Sequence, residues 1–536
     1  MPLTLLQGGR VVDPANKTNV VRDIHVRDGR IVAAEPGAKV DRVHDCRGMV
    51  VMAGGIDLHS HIAGGKMNLA RALTPEQQGV IPPAGLTGLR YAAMGYTMAV
   101  EPAMLPSNAR QAHLEMADIP IIDRGAYAML GNDDFLLRLM LQKRDHRAIA
   151  DYVGCMMHAT RALGVKVVNP GGISAFKFNQ RSLALDESGP FYGQTPRDVL
   201  LTLARALDTL GVPHPLHVHC SNLGIPGNAD TTLGTIQAAE GLPVHLTHLQ
   251  FHSYGAEGDR RFSSAAARIA EAVNGAKNVS IDVGQVMFGQ TITASADTMA
   301  QFRNARFASP AKWLCMDIEC DGGCGLVPFR YRSKDYVNAL QWAIGLELFL
   351  LVEDPWRVAL TTDHPNGGIF TSYPRLIRLL MDKGFRDDAL GQIDKHAQAA
   401  TVLGSIKREY TLEEIAILTR AGPARLLGLK DRGHLAPGAA ADIAVYREHQ
   451  NREAMFEAPA LVFKDGVLVA KDGAIMTETR GATHLVRPDR DPAIERELRT
   501  YFDRYMLQSF DRFAMTDAEF GPEDRLAVHP CRPRVA

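Results

Sequence analysis

Between residues 53 and 424, short apolar runs alternate with helix-patterned stretches, and this alternation limits the architectures open to the chain. The strand-like runs lie at residues 56–62, 97–101, 125–130, 174–178, 216–220, 244–249, 279–283 and 358–363. Helical patterns fall between them, for instance at 196–210 and 263–273. Eight strands separated by helices fit a (β/α)8 barrel with long insertions. A doubly wound sheet would need a glycine-rich turn after its first strand. Here Gly54-Gly55 precedes the strand, which disfavours that alternative.

Both flanks of this region read as β structure. Leu3-Thr4-Leu5-Leu6 and Arg10-Val11-Val12 precede a turn at Asp13-Pro14, and Asp28-Gly29 is a hairpin signal between Asp23-Ile24-His25-Val26 and Arg30-Ile31-Val32. The same character returns at residues 433–446 and around Lys464-Asp465-Gly466. Neither end is long enough to stand alone. The expectation is one small β-sandwich domain built from residues 1–52 and 425–485, enclosing a barrel at 53–424. Residues 486–536 form a C-terminal helical tail. There Asp491 can cap a helix starting at Pro492. Ile494, Leu498, Tyr501, Phe502, Tyr505, Met506, Phe510 and Phe513 then recur at helical spacing. That stripe can pack on its own barrel or dock on another subunit.

Composition narrows the function classes. The 536 residues carry 59 basic and 60 acidic side chains, a net charge of −1, which lacks the basic field of a nucleic-acid or membrane-surface binder. No apolar run reaches the roughly 18 residues of a membrane span, and Gly8-Gly9-Arg10 interrupts the apolar start before it could serve as a signal peptide. Seven scattered cysteines suit a reducing cytoplasm, and Cys315, Cys320 and Cys324 lack iron–sulfur spacing.

Barrel active sites lie at the carboxyl ends of the strands, so polar residues there are the candidates. The first strand ends in His59 and His61, which alternation places on one face. The fourth carries Lys177 between Phe176 and Phe178, the fifth His217 and His219, the sixth His245 and His248, and the eighth Thr362-Asp363-His364. Each has an ordinary structural explanation alone; together they are ligand types for a zinc-like ion bound through nitrogen and oxygen. Carboxylated by carbon dioxide, a lysine becomes an anion able to bridge two ions ~3.5–4 Å apart. With Asp363 as proton shuttle, the set points to metal-assisted hydrolysis of an amide-like bond.

The set His59-x-His61, Lys177, His219, His248 and Asp363, with Leu435-Ala436-Pro437-Gly438-Ala439-Ala440-Ala441-Asp442, resembles the amidohydrolase superfamily, which includes dihydroorotase and hydantoinase. Within it, four stretches are similar to the A subunits of formylmethanofuran dehydrogenases and of bacterial formyltransferase/hydrolase complexes. They are Asp57-Leu58-His59-Ser60-His61-Ile62-Ala63-Gly64-Gly65-Lys66, His217-Val218-His219-Cys220-Ser221-Asn222-Leu223-Gly224, Gly322-Gly323-Cys324-Gly325-Leu326-Val327-Pro328-Phe329 and Thr362-Asp363-His364-Pro365-Asn366-Gly367-Gly368. The resemblance implies zinc, as one or two divalent ions, held by His59, His61, Lys177 as N6-carboxylysine, His219, His248 and Asp363. Asp363 is then the catalytic residue, with Asn222 and His364 as substrate contacts. The implied reaction is hydrolysis of the formyl amide of a methanofuran-type (methylofuran) one-carbon carrier to formate and free carrier. It would take place in the cytoplasm, in a complex that includes a formyltransferase subunit. Two rival readings remain: the same site run in the condensing direction within a carbon dioxide-fixing formylmethanofuran dehydrogenase complex, or a stand-alone cyclic-amide hydrolase. Dihydroorotase-like enzymes place an arginine where this chain has Ala63, which favours a neutral linear amide.

Overall fold

The structure is a computed structural model, and it describes residues 2–171, 183–189, 192–258, 260–295 and 325–532. The expected strand at 174–178 with Lys177, the cysteines 315, 320 and 324, and Gly322-Gly323 lie outside the described residues.

Eight parallel strands form the barrel wall. In order they are Gly55–Asp57, Tyr96–Met104, Asp123–Met129, Gly164–Val168, Leu216–His219, Val244–Leu246, Val279–Asp282 and Val358–Ala359, each paired with the next except across the closing seam. Beyond the eighth strand, His364 bridges in parallel to Ser60, and His61 N–H donates to the His364 carbonyl at 2.9 Å. That contact joins the last strand to the first. Gly55 lets the chain enter tightly: a Cβ there would stand 2.6 Å from the Tyr96 ring.

The fourth position is filled by Gly164–Val168, not by residues 174–178 as the sequence pattern predicted. Val165, Val167 and Val168 give the run its β character, and Asn169-Pro170-Gly171 stops it.

Local sequence explains the helices between. Pro196–Leu210 starts with a capping box: Thr195 accepts from Asp198 N, the Asp198 carboxylate accepts back, and Pro196 sits where no N–H is needed. Gly211, at φ 65°, ends it in the left-handed conformation. Val199, Leu200, Leu203, Leu207 and Leu210 are the buried face.

A nine-stranded mixed sheet lies beside the barrel and joins both ends of the chain. Its seam pairs Met49–Ala53 antiparallel with Ile443–Arg447. The strands Thr4–Asp13, Thr18–Arg27 and Arg30–Val32 extend it on one side, and Leu461–Lys464, Val467–Lys471 and Ala474–Ile475 on the other. The two Asp-Gly turns have the same backbone, with φ of 54° and 73° at Asp28-Gly29 and 46° and 75° at Asp465-Gly466. Leu6, Val11, Ile24, Val51, Ile443 and Phe463 belong to an apolar cluster of this sheet, separate from the barrel core.

The tail packs on its own barrel. Helix Ile494–Tyr505 lies against His146–Thr160, and Ile494, Leu498, Phe502, Phe510 and Phe513 are buried in the main core. The apolar stripe is therefore an internal surface, not a free docking face; Tyr505, Met506 and Leu507 at its end remain exposed. Asp491 does receive the Ala493 N–H at 2.8 Å, as a cap would, but the helix begins at Ile494. Among the described residues, no helix is long and apolar enough to cross a membrane.

Candidate metal centre

The chain leaves each barrel strand at the same end, and the polar groups there converge. His59 and His61 lie just past the first strand. Both rings have their inner nitrogen on a carboxylate. His59 Nδ1 is 3.1 Å from Asp282 Oδ2, and His61 Nδ1 is 3.0 Å from Glu101 Oε1. An Nδ1–H donated to each acid fixes the tautomer and leaves a lone pair on Nε2. The two Nε2 atoms face one atom, Asp363 Oδ1, at 3.0 Å and 3.4 Å. All three side chains are almost wholly buried. Two imidazole lone pairs and a carboxylate oxygen at these distances repel one another unless a cation sits among them. Such a donor set fits a divalent ion.

His219 ends the fifth strand, and His248 lies two residues past the sixth. Each of His59, His248 and Asp363 offers a ligand atom, and these atoms lie within 4.8 Å of one another. The His219 and His248 ring centroids are 4.5 Å apart. His217 and His245 point elsewhere. His217 Nε2 meets His59 Nδ1 at 2.9 Å, and its other nitrogen meets His214 at 3.1 Å. His245 bridges Asp282 at 3.1 Å and Ser280 at 2.9 Å. His217 and His219 share the inward face of the fifth strand, and the two-residue step along it puts one in a lower network and the other in the upper site.

The backbone is bent to make this cluster. Asp363, His248 and Asn222 have φ of 51°, 36° and 64°, left-handed values that non-glycine residues adopt rarely. Asp363 N–H donates to Thr361 Oγ1 at 3.0 Å, and that hydroxyl donates to the His59 carbonyl at 2.6 Å. Gly284 permits the approach of the seventh strand's loop, since a Cβ there would lie 2.7 Å from His248 Cα. His364 is buried and packs edge-on against Phe370 at 4.8 Å. The Asn222 carboxamide is engaged with the Leu183 backbone at 3.2 Å on both its oxygen and its nitrogen.

Electrostatics agree with a cation site. Burial disfavours the Asp363 carboxylate, but positive charge at the neighbouring His59 outweighs it and holds the group well below the usual carboxylate range; a cation among these atoms would favour the carboxylate in the same way and let the ring keep its lone pair. Burial pushes His219 and His248 well below their ordinary pKa, so both are neutral and able to ligate. Burial also lowers Lys166, on the fourth strand, to about 8.

Reasoning from sequence missed four contributors: Glu101, Lys166, Asp282 and His252. Glu101 and Asp282 do lie at the carboxyl ends of the second and seventh candidate strands, and that position was their only signal. Glu101 also accepts the N–H groups of Ile62 at 2.8 Å and Ala63 at 3.1 Å, and Asp282 accepts that of His248 at 2.6 Å. Lys166 is in register with His217, which faces the barrel interior.

A parallel barrel with a buried histidine and carboxylate centre at its mouth defines a class of metal-dependent hydrolases, and comparison with known proteins places the chain within it. The model of the amidohydrolase family matches residues 42–476, and the chain belongs to that family. It is 46% identical to the A subunit of the Fhc formyltransferase/hydrolase complex of Methylorubrum extorquens, over 97% of this chain and 98% of that protein. It is 39% identical to protein FwdA of Methanocaldococcus jannaschii, over 96% of each. Among solved structures, a chain of the formyltransferase/hydrolase complex FhcABCD from Methylorubrum extorquens, crystallised with methylofuran, superposes with a TM-score of 0.93. Its identity is 45%, covering 99% of this chain and 100% of that one.

Proposed function

We propose that this protein is a metal-dependent hydrolase that cleaves the formyl amide of a methylofuran-type carrier to formate and free carrier. It does so as the catalytic hydrolase component of a cytoplasmic formyltransferase/hydrolase complex. The observation that carries the reading is the convergence of His59 Nε2 and His61 Nε2 on Asp363 Oδ1 in a chain 46% identical to one component of such a complex over nearly its whole length. Residues 1–52 and 425–485 act as one supporting β domain, and 53–424 as the catalytic barrel.

His59, His61, His219, His248 and Asp363 would hold one or two zinc ions, with Lys177, carboxylated, as a further anionic ligand. Such an ion supplies Lewis acidity, polarising an amide carbonyl and lowering the pKa of water. The chain's own residues do the rest. Glu101 and Asp282 fix the two leading imidazoles. Asp363, ionised because its neighbours favour the charged form, accepts the proton of the attacking water and hands it to the leaving amine nitrogen. His364, beside the seam that closes the barrel, contacts the carrier near the formyl group. Asn222 acts by fixing the chain at Leu183. Ala63 leaves a small neutral wall where a carboxylate-binding arginine would suit a cyclic substrate.

The test is formate release from formylated carrier by the purified complex. Release that disappears on chelation and returns with zinc is the expected outcome. Net consumption of formate by the isolated complex under the same conditions would favour the condensing direction instead.

A further inference from the structure

The turn after the sixth barrel strand carries a histidine that this reading leaves unused. His252 closes the short 3-10 helix Leu249–His252, four residues after His248. It is wholly buried, with an exposure of 0%, and neither ring nitrogen has a hydrogen-bond partner. A neutral imidazole presents one donor and one acceptor nitrogen. Leaving one such group buried and unpaired costs about 1–3 kcal/mol, so a ring with two orphans needs a compensating occupant.

Its neighbours identify the occupant. His219 and His248 flank it, with ring centroids 5.2 Å from that of His252 in both cases. One ligand atom from each of the three lies within 4.8 Å of the other two. His248 Nδ1 is likewise buried without a partner. Among the described residues, this is a pocket of imidazole nitrogens with no carboxylate in the group. Three neutral imidazoles suit a borderline divalent ion such as zinc, and leave a fourth position open.

We infer that His252 is a metal ligand, completing with His219 and His248 a three-imidazole site beside the one formed by His59, His61 and Asp363. The inference deepens the hydrolase reading and rests on it for the first of these two sites. Among the described residues it gives three donors to each ion, and it assigns His248, which lies within reach of both groups, to the second.

Metal titration of the full-length chain in its purified complex, stripped by chelation and reloaded with zinc or cobalt(II), tests this. Wild type should take up two equivalents. His252→Gln should keep the equivalent held by His59, His61 and Asp363. Loss of an outer-sphere partner already costs ~10–100-fold in affinity, so loss of a direct ligand should weaken the second equivalent by at least ~100-fold. The stripped forms should melt together, and added metal should raise the melting temperature of wild type further than that of the variant. His252→Cys should restore uptake and add a thiolate-to-cobalt absorption band, which a packing role would not produce. Two equivalents bound by His252→Gln at wild-type affinity, or a folded His252→Cys protein that binds two ions without the band, would overturn the inference and leave the hydrolase reading standing. A wild-type chain that binds no divalent ion would overturn both.

Discussion

Asp363 combines three properties that suit a proton carrier: a left-handed backbone that aims it inward, almost complete burial, and neighbours that keep it ionised. Asp363→Asn keeps the shape but cannot accept a proton. Hydrolysis should fall by ~10²–10⁴, measured as formate release by metal-loaded protein of unchanged melting temperature. Glu101 and Asp282 act one step further out. Glu101→Gln and Asp282→Asn can each present an amide nitrogen to the imidazole and favour the wrong tautomer. Metal affinity should drop ~10–100-fold in each, read by competition with a chromophoric chelator; unchanged affinity would remove their orienting role. Lys177→Ala should lower metal content and formate release together, with partial recovery on adding a short carboxylic acid to replace the lost anion. Metal content equal to wild type would show that no anionic lysine is needed. At this scale the sequence was informative where a motif repeats a donor type, as in His59-x-His61. It was silent on Glu101 and Asp282, because a lone acid in an apolar strand has no local signature, and its role exists only once strands one, two and seven meet.

At the scale of elements, periodicity told more about faces than about partners. The stripe from Ile494 to Phe513 was legible as a helix with one apolar side. What covered that side was not, because a 3.6-residue period records burial and not the identity of the burying surface. The structure supplies it: Phe502 packs with Phe510 and Phe513 at centroid distances of 5.3 Å and 4.9 Å, over the helix His146–Thr160. Phe502→Ala should therefore cost ~3–5 kcal/mol of stability, measured by denaturant unfolding of the isolated chain. Deleting residues 487–536 should yield aggregation-prone chain rather than a stable barrel released from its partners. A truncated chain with wild-type unfolding behaviour would show that the tail is dispensable to the core. The fourth strand shows the converse limit. Gly164-Val165-Lys166-Val167-Val168 and residues 174–178 both read as short apolar runs. Only pairing with Tyr127 on one side and His217 on the other selects the first, and that is long-range information.

For the whole molecule, the eight-fold alternation and the two β-rich ends announced a barrel and a sheet drawn from both termini, but not how the two are fastened together. The fastening is ionic and buried. Asp123, at the start of the third barrel strand, meets Arg432 Nε at 2.5 Å and Lys464 Nζ at 3.2 Å, and Lys464 also holds Asp442 at 3.0 Å. Asp123 Oδ1 accepts the Ala482 N–H at 2.6 Å. Charge partners this far apart in sequence leave no local pattern, so nothing in the chain's order predicts them. Burial opposes the Asp123 carboxylate, yet Lys464 and Arg432 hold its pKa well below the ordinary 3.8. A carboxyl whose folded pKa is depressed contributes stability above its unfolded pKa and loses it as pH falls through the folded value. Asp123→Asn removes the carboxylate that Arg432 and Lys464 share but leaves them Asp431, Asp442 and Asp465, so the loss at pH 7 should fall below the ~3–5 kcal/mol of a buried charge left with no partner. That penalty should hold from pH 7 down to about 4 and then shrink as the unfolded wild-type chain takes up the proton that the folded carboxylate does not yet bind. Paired denaturant titrations of wild type and variant between about pH 7 and pH 3 check it. A penalty equally large at both ends would mean that the two layers are joined by packing at this point, with the charges incidental.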